Sequence, residues 1–241
     1  MAQRSPSFDG TIDWNEYWAE IDDPTAVRED DANGSREHLI DPVIEFCNWA
    51  GPPDRYADVG CGGGVLLEAV TERFSDTTGW GYDAAPSVVA ANRRRTTGEG
   101  IHYEQEQLPG FDPAQSFDLV TCVFTLCYVR EVQAALQALY EAVAPGGNLV
   151  ITYHNRDASS LFRRFAEAPH AHFDETSTWD PDRFPSRFEL VIEGESTLSY
   201  RRIQDVLGAW PQSVWSVTET VEPYAAARFN PLVYVPKPAT G

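Results

Sequence analysis

The stretch Arg55-Tyr-Ala-Asp-Val-Gly-Cys-Gly-Gly-Gly-Val-Leu-Leu-Glu-Ala-Val70 constrains the fold more than any other part of the chain. Tyr56 to Val59 is a short strand-forming run that breaks into glycines at 60, 62, 63 and 64. From Val65 the apolar residues Val65, Leu66, Ala69 and Val70 recur at helical spacing. Strand, glycine turn and helix together open a nucleotide-binding α/β unit. Without Cβ atoms the turn can bend sharply and let a ligand approach the backbone. The first N–H groups of the following helix add donors and the positive end of its dipole. A dinucleotide fingerprint needs glycine at the sixth position from Gly60, where this chain has Val65. Ordering so many glycines carries a large entropy cost, which argues against a loop with no ligand.

Downstream, Gly79 to Asp83 reads as a second strand and Pro86 as the start of a helix running to about Arg95. Asp83 lies 23 residues past Gly60 and offers two acceptor oxygens and no donor, which suits the hydroxyls of a ribose. The same carboxylate could instead cap the Pro86 helix. Ile101 begins a third strand. Ser116 to Val129 is nearly continuous in apolar residues, as a central parallel strand should be. Glu131 to Val143 is an amphipathic helix, stopped by Ala144-Pro145-Gly146-Gly147 before a fifth strand from Leu149 to Tyr153.

In this order, Asp58-x-Gly60-x-Gly62-x-Gly64, the acid at 83, Phe117-Asp118-Leu119-Val120 and Pro145-Gly146-Gly147 resemble the motifs of class I S-adenosylmethionine (SAM) methyltransferases, over about residues 55–155. The resemblance implies an α/β fold: a seven-stranded, mostly parallel Rossmann-like sheet flanked by helices, with an N-terminal helical lid and an insertion after strand five. It divides the chain into a lid segment, 1–35, and a methyltransferase domain, 36–241, whose cofactor half is 36–156 and whose sheet completion and insertion are 157–241. It implies SAM as cofactor, held by Asp58, Gly60, Cys61, Gly62, Gly64, Asp83, Ala84 and Val123. Glu104, with Gln105 beside it, falls where relatives usually carry the acid near the adenine, although Asp is commoner there.

SAM carries the reactivity in its sulfonium methyl, so the protein must hold an acceptor in line and exclude water, and no acid–base residue is obligatory. Topology places Phe124, Tyr128, His154 and Asn155 near the methyl. Trp14, Tyr17 and Trp18 share one helical face that either docks on the body or covers a pocket. His154 is the candidate general base, its alternative being a strand-end histidine bonded to a carbonyl.

A net charge of -19, with Lys237 the only lysine, disfavours nucleic acid and anionic membranes as partners and fits adaptation to high salt. The Asp/Asn-Pro-Pro-aromatic motif of amino-methylating nucleic-acid enzymes is missing where Thr121-Cys122-Val123-Phe124 stands, and so is the Pro-Cys pair of cytosine methylases. A small-molecule acceptor is therefore expected, in a cytoplasmic enzyme with no membrane span. The alternative is a non-catalytic SAM-binding or partner-regulating module, and a dehydrogenase stands third. Cys47, Cys61, Cys122 and Cys127 should be buried thiols. His170, His172 and Asp174 would share a face of an extended loop, but spacing that short in a polar segment indicates solvated surface, and no metal is expected.

The last third reads as a helix over Asp157 to Ala168, a polar insertion loop over 170–187 and a strand over Phe188 to Ile192. A helix over Leu198 to Trp210 follows, then strands over Val214 to Val221 and Leu232 to Val235.

Overall fold

The computed structural model describes residues 6–22, 24, 34–96, 100–174, 177 and 179–239. Its centre is β1 (Arg55–Val59), whose last four side chains are buried because the strand has neighbours on both edges and layers on both faces. Two helices precede it, α1 (Trp14–Ala19) and α2 (Gly34–Ala50). After β1 the chain alternates through α3 (Val65–Arg73), β2 (Thr78–Asp83), α4 (Pro86–Arg95), β3 (Ile101–Gln105) and β4 (Phe117–Cys122). It continues through α5 (Val132–Glu141), β5 (Val143–Thr152), α6 (Arg156–Glu167) and α7 (Pro169–His172). Next come α8 (Phe184–Arg187), α9 (Glu189–Glu193), α10 (Tyr200–Leu207), β6 (Gln212–Ser213), α11 (Tyr224–Phe229) and β7 (Leu232–Pro236).

The seven strands stand in the order β3-β2-β1-β4-β5-β7-β6, with β1 to β5 parallel and β7 antiparallel to both neighbours. The fold is the expected Rossmann-like α/β sheet flanked by helices. Leu136 and Leu139 of α5 and Ile203 of α10 bury one face, while Phe46 of α2 and Leu67 and Val70 of α3 bury the other. The chain moves outward from β1 to β2 and β3, then returns to place β4 on the opposite edge of β1. That reversal leaves a crevice above the carboxyl ends of β1 and β4, where ligands bind in open α/β sheets.

The Pro-Gly-Gly turn lies inside β5 as a bulge, since the pairing with β4 jumps from Phe117↔Val143 to Leu119↔Asn148. A Cβ at Gly147 would sit 2.6 Å from the Asp118 carbonyl oxygen, so the close strand approach requires glycine there.

Two predicted strands are corrected. Phe188 to Ile192 is helical, because Phe184, Phe188, Val191 and Ile192 recur at helical spacing and pack together on Phe162 of α6. Val214 to Val221 contributes only a 3-10 turn, Val214–Ser216, after the two residues of β6. Glu45 of α2 holds the rest away from the sheet, accepting from the Glu219 and Thr220 N–H groups at 2.8 and 3.0 Å and from the Thr220 hydroxyl at 2.9 Å. The backbone hydrogen bond from Thr220 holds the Glu45 carboxyl below its usual range. Part of the insertion, predicted as loop, forms the short helices α7 and α8. Among the described residues no helix is long and apolar enough to cross a membrane.

Candidate functional site

The glycine loop after β1 is held in one shape from several sides. Gly60, Gly62 and Gly64 have φ of 75°, 52° and 79°, the left-handed region in which side chains are strained. A Cβ at Gly60 would land on the Thr125 side chain, and one at Gly64 on the Tyr103 hydroxyl. The Gly60 and Cys61 N–H groups donate to the Tyr82 carbonyl at 2.7 and 3.0 Å. Asp83 accepts from Gly62 N–H through Oδ2 and from Ala85 N–H through Oδ1, each at 2.9 Å. The buried Asn92 amide donates to the Gly62 carbonyl at 2.7 Å, and Arg95, paired with Glu68, donates to that of Gly63 at 2.8 Å. Asp83 thus ties the glycine loop to Ala85 just ahead of α4 rather than capping that helix, and it lines the cavity where a ribose was expected.

Above this loop lies an outer cavity of about 460 Å³, lined by Gly60, Gly62, Asp83 and Ala84 on one side and by Glu106 to Pro109 on another. Next to it lies an inner cavity of about 420 Å³, and Trp14, Trp18, Phe124 and Tyr128 line both. Phe124 has φ 53°, strained for a residue with a side chain, and its N–H donates to the Thr152 hydroxyl at 2.7 Å. That strain sits in the wall between the two cavities. Helix α1 covers this region: Asp13 caps it, Ser87 of α4 bonds Asn15 twice, and Trp14 packs on Tyr128 with ring centroids 4.5 Å apart. Its aromatic face therefore docks on the body and lines the cavities at once.

The inner cavity is walled by side chains of α6, α8, α11 and the segment around Trp215, with His154 at the end of β5. The His154 ring packs against Phe162 and Phe188, with centroids 5.2 and 6.4 Å apart. Burial pushes its pKa down to about 4, so the imidazole is neutral at pH 7. The Arg187 guanidinium carbon lies 5.1 Å from the Trp14 ring centre, 5.7 Å from that of Tyr17 and 5.5 Å from that of Phe188.

Of the predicted site residues, Gly60, Gly62, Asp83 and Ala84 line the outer cavity, Tyr17 and His154 the inner one, and Trp14, Trp18, Phe124 and Tyr128 both. Others lie elsewhere. Asp58 is buried beneath the loop, accepting from the Thr121 hydroxyl at 2.7 Å, and Cys61 and Val123 are buried with it. Gly64 shapes the turn from behind. Glu104 is exposed on a separate hollow with Arg93 and His102, which Gln105 also lines, because alternation along β3 turns Glu104 away from the crevice. Glu106, just past the strand, takes the place predicted for Glu104, its carboxyl raised by burial and by Glu104 and Asp112. Asn155 caps α6 through Ala158 N–H at 3.0 Å and donates to the Arg228 carbonyl at 2.7 Å, so it lies outside the pocket wall. His170 meets Asp182 at 3.0 Å on a helical turn, which removes the shared face expected with His172 and Asp174. The four cysteines are buried and form no disulfide, with the Cys47 thiol pushed up to about 12 by burial. Sequence reasoning missed Arg187, Phe188, Trp179 and Trp215. The helical recurrence of Phe184, Phe188, Val191 and Ile192 was the signal that could have found the first two.

A family model described as a methyltransferase domain matches residues 32–190. A ubiquinone biosynthesis O-methyltransferase from Pseudomonas entomophila is 36% identical over 130 residues, 53% of this chain and 53% of that one. The namesake from Pectobacterium atrosepticum is 36% identical over 105 residues, 43% of this chain and 44% of its own length. The chain spans about half the length of the curated relatives it matches. In fold it is similar to an N-methyltransferase from Bradyrhizobium japonicum solved with S-adenosyl-L-homocysteine, at TM-score 0.61 and 16% identity, covering 95% of this chain and all of that one. A plantazolicin methyltransferase, solved with a triazolic desmethylPZN analogue and S-adenosyl-L-homocysteine, gives TM-score 0.63 at 11% identity, covering 93% of this chain and 94% of that one.

Proposed function

The chain belongs to this methyltransferase family, and on that premise we propose that it is an enzyme transferring a methyl group from SAM to a small-molecule acceptor. The observation that carries the reading is the glycine loop: three left-handed glycines, pinned by Asp83 and Asn92, at the crevice where the strand order reverses. A Cβ at any of the three would strain the backbone, and at Gly60 or Gly64 it would also meet a neighbouring side chain, so the cradle fits a ligand lying against bare main chain.

When bound, SAM supplies an activated methyl on its sulfonium. Gly60, Gly62 and Ala84 offer the surface it would lie on, and the Asp83 carboxylate, which lines the same cavity, supplies acceptor oxygens of the kind a ribose hydroxyl needs. Phe124 and Tyr128 stand between the donor side and the inner cavity, which we assign to the acceptor. The N-terminal segment to residue 35, through α1, acts as the lid that keeps water from both, and residues 36–241 form the catalytic domain. Its residues 25–33 lie outside those described. His154 accepts a proton only weakly while so buried, so orientation and water exclusion carry the catalysis, with little protein acid–base chemistry.

The ubiquinone-pathway names of the relatives support a small-molecule acceptor rather than a nucleic acid. Four buried cysteines outside any disulfide suit a reducing, cytoplasmic setting, and the acidic, lysine-poor composition suits high salt. A non-catalytic module would fill its acceptor space with side chains, and the inner cavity of about 420 Å³ weighs against it. Calorimetry with SAM, S-adenosylhomocysteine and NAD(H) tests the donor, and a SAM-consumption screen of a fractionated extract with mass identification of the product tests the transfer. NAD binding without SAM binding would sink the proposal.

A further inference from the structure

The inner cavity has an unbalanced chemistry. No aspartate or glutamate is among the described residues that line it, yet Arg187 does. Other arginines on the chain meet carboxylates: Arg95 meets Glu68, Arg130 meets Glu195 and Asp9, and Arg228 meets Asp157. Arg187 instead donates through Nε to the Tyr128 hydroxyl at 3.3 Å and lies among the rings of Trp14, Tyr17 and Phe188. Neither of its terminal amino groups bonds to another described residue. A guanidinium is charged at every working pH, and taking it from water without a counter-ion is unfavourable unless an anion arrives.

Other atoms of the same cavity point the same way. The indole N–H groups of Trp14 and Trp215 are buried without a hydrogen-bond partner, and so is the Asn230 amide oxygen. Buried polar groups are nearly always satisfied, so three orphans around one cavity mark where ligand atoms belong. Donors exceed acceptors, and the rest of the wall is aromatic, with Phe162, Phe165 and Trp179 facing it.

We propose that the acceptor is a planar aromatic molecule bearing a carboxylate, which the Arg187 amino groups bind while the aromatic wall takes its rings. A carboxylate matches the flat fork of a guanidinium in a way that a neutral amide cannot. This rests on the assignment of the inner cavity to the acceptor and names the class of molecule it takes. The cage also makes the anion requirement local: the surface of this acidic protein repels anions at long range, whereas a pair inside the cavity is little screened by salt.

The test uses the full chain in molar KCl, with and without S-adenosylhomocysteine. Tryptophan fluorescence follows titration with 1-naphthoate, cinnamate and 3-phenylpropionate, each beside its own neutral amide. We expect at least one acid to bind about 10-fold or more tightly than its amide, the step expected of a charge-assisted pair. Arg187→Gln should bring acid and amide together, and Arg187→Lys should restore part of the preference. Amides binding as well as acids, no acid binding at all, or a preference that survives Arg187→Gln would each overturn the proposal. The comparison in the unaltered protein stands even if a variant fails to fold. Calorimetric titration of the same sample with S-adenosylhomocysteine reads the donor assignment separately, so the two failures are distinguishable.

Discussion

On its deep side the outer cavity is walled by main chain: Gly60 and Gly62 with left-handed φ, tied to the Tyr82 carbonyl, Asp83 and Asn92. The inner cavity, sharing a wall with it, is built from side chains that arrive on α1, α6, α8, α11 and the ends of β4 and β5. The first kind of site depends on a few backbone angles that only glycine reaches without strain. The second depends on which rings and charges several separate segments bring to one place. A backbone cradle therefore resists change, while a side-chain pocket can be rewritten one residue at a time. That fits a common donor paired with varied acceptors.

The sharpest way to break this contrast is Gly60→Val. Left-handed strain of about 1–3 kcal/mol, added to the collision with Thr125, should weaken S-adenosylhomocysteine binding at least ~100-fold. Acid binding in the inner cavity should change far less. Calorimetry with both ligands checks this, and a loss of less than ~3-fold would show that bare main chain is not what the outer cavity requires.

The next effect concerns the dryness of the inner cavity. His154 titrates at about 4 when folded against 6.5 for a free imidazole, so on acidification the unfolded chain takes up the proton first. The stability that His154 leaves intact above pH 6.5 is thus lost as the pH falls toward 4, by up to roughly 3 kcal/mol. His154→Gln should lose correspondingly less between pH 7 and 4 in urea titrations. Parallel curves for the two proteins would mean that water reaches the ring.

Asp83→Ala separates the side-chain contribution to the outer cavity from that of the main chain. It removes the acceptors for Gly62 and Ala85 together with those offered to a ribose, and should weaken S-adenosylhomocysteine by about 1–3 kcal/mol. Unchanged affinity would take Asp83 out of the site and leave the cradle to the glycines alone.

The smallest effect expected is that of salt. If acidic side chains repel one another across the surface, the melting temperature should rise by about 5 °C or more between dilute and molar KCl. The preference of the inner cavity for an acid over its amide should hardly move. A flat melting response would turn attention to a basic partner protein.

How far the sequence reached depended on how local each feature is. The glycine turn and the strand-end acid Asp83 were legible because each is dictated within a few residues, whereas Pro145-Gly146-Gly147, read as a turn ahead of strand five, lies inside β5 as a bulge that only the pairing with β4 reveals. Period-two alternation misled at Phe188 to Ile192, where the helical recurrence with Phe184 and packing on Phe162 decided the matter. It misled again after Val214, where the carboxylate of Glu45, far away in sequence, captures the chain before it can pair.

The sequence by itself determined the sheet, the crevice and the cradle, because backbone sterics and hydrophobic period act over short distances and leave a pattern in neighbouring residues. Only the tertiary structure decided that Glu106 rather than Glu104 faces the cavity, that Asn155 is spent on a helix cap, and that Arg187 lies among aromatic rings in a cavity with no acid among its described lining residues. Those outcomes depend on which face a strand end presents and on segments far apart in the chain, such as those of Trp14 and Arg187, meeting so that the guanidinium carbon lies 5.1 Å from the indole ring centre. Contacts of that kind are set by the packing of whole elements, and no short stretch of sequence encodes them.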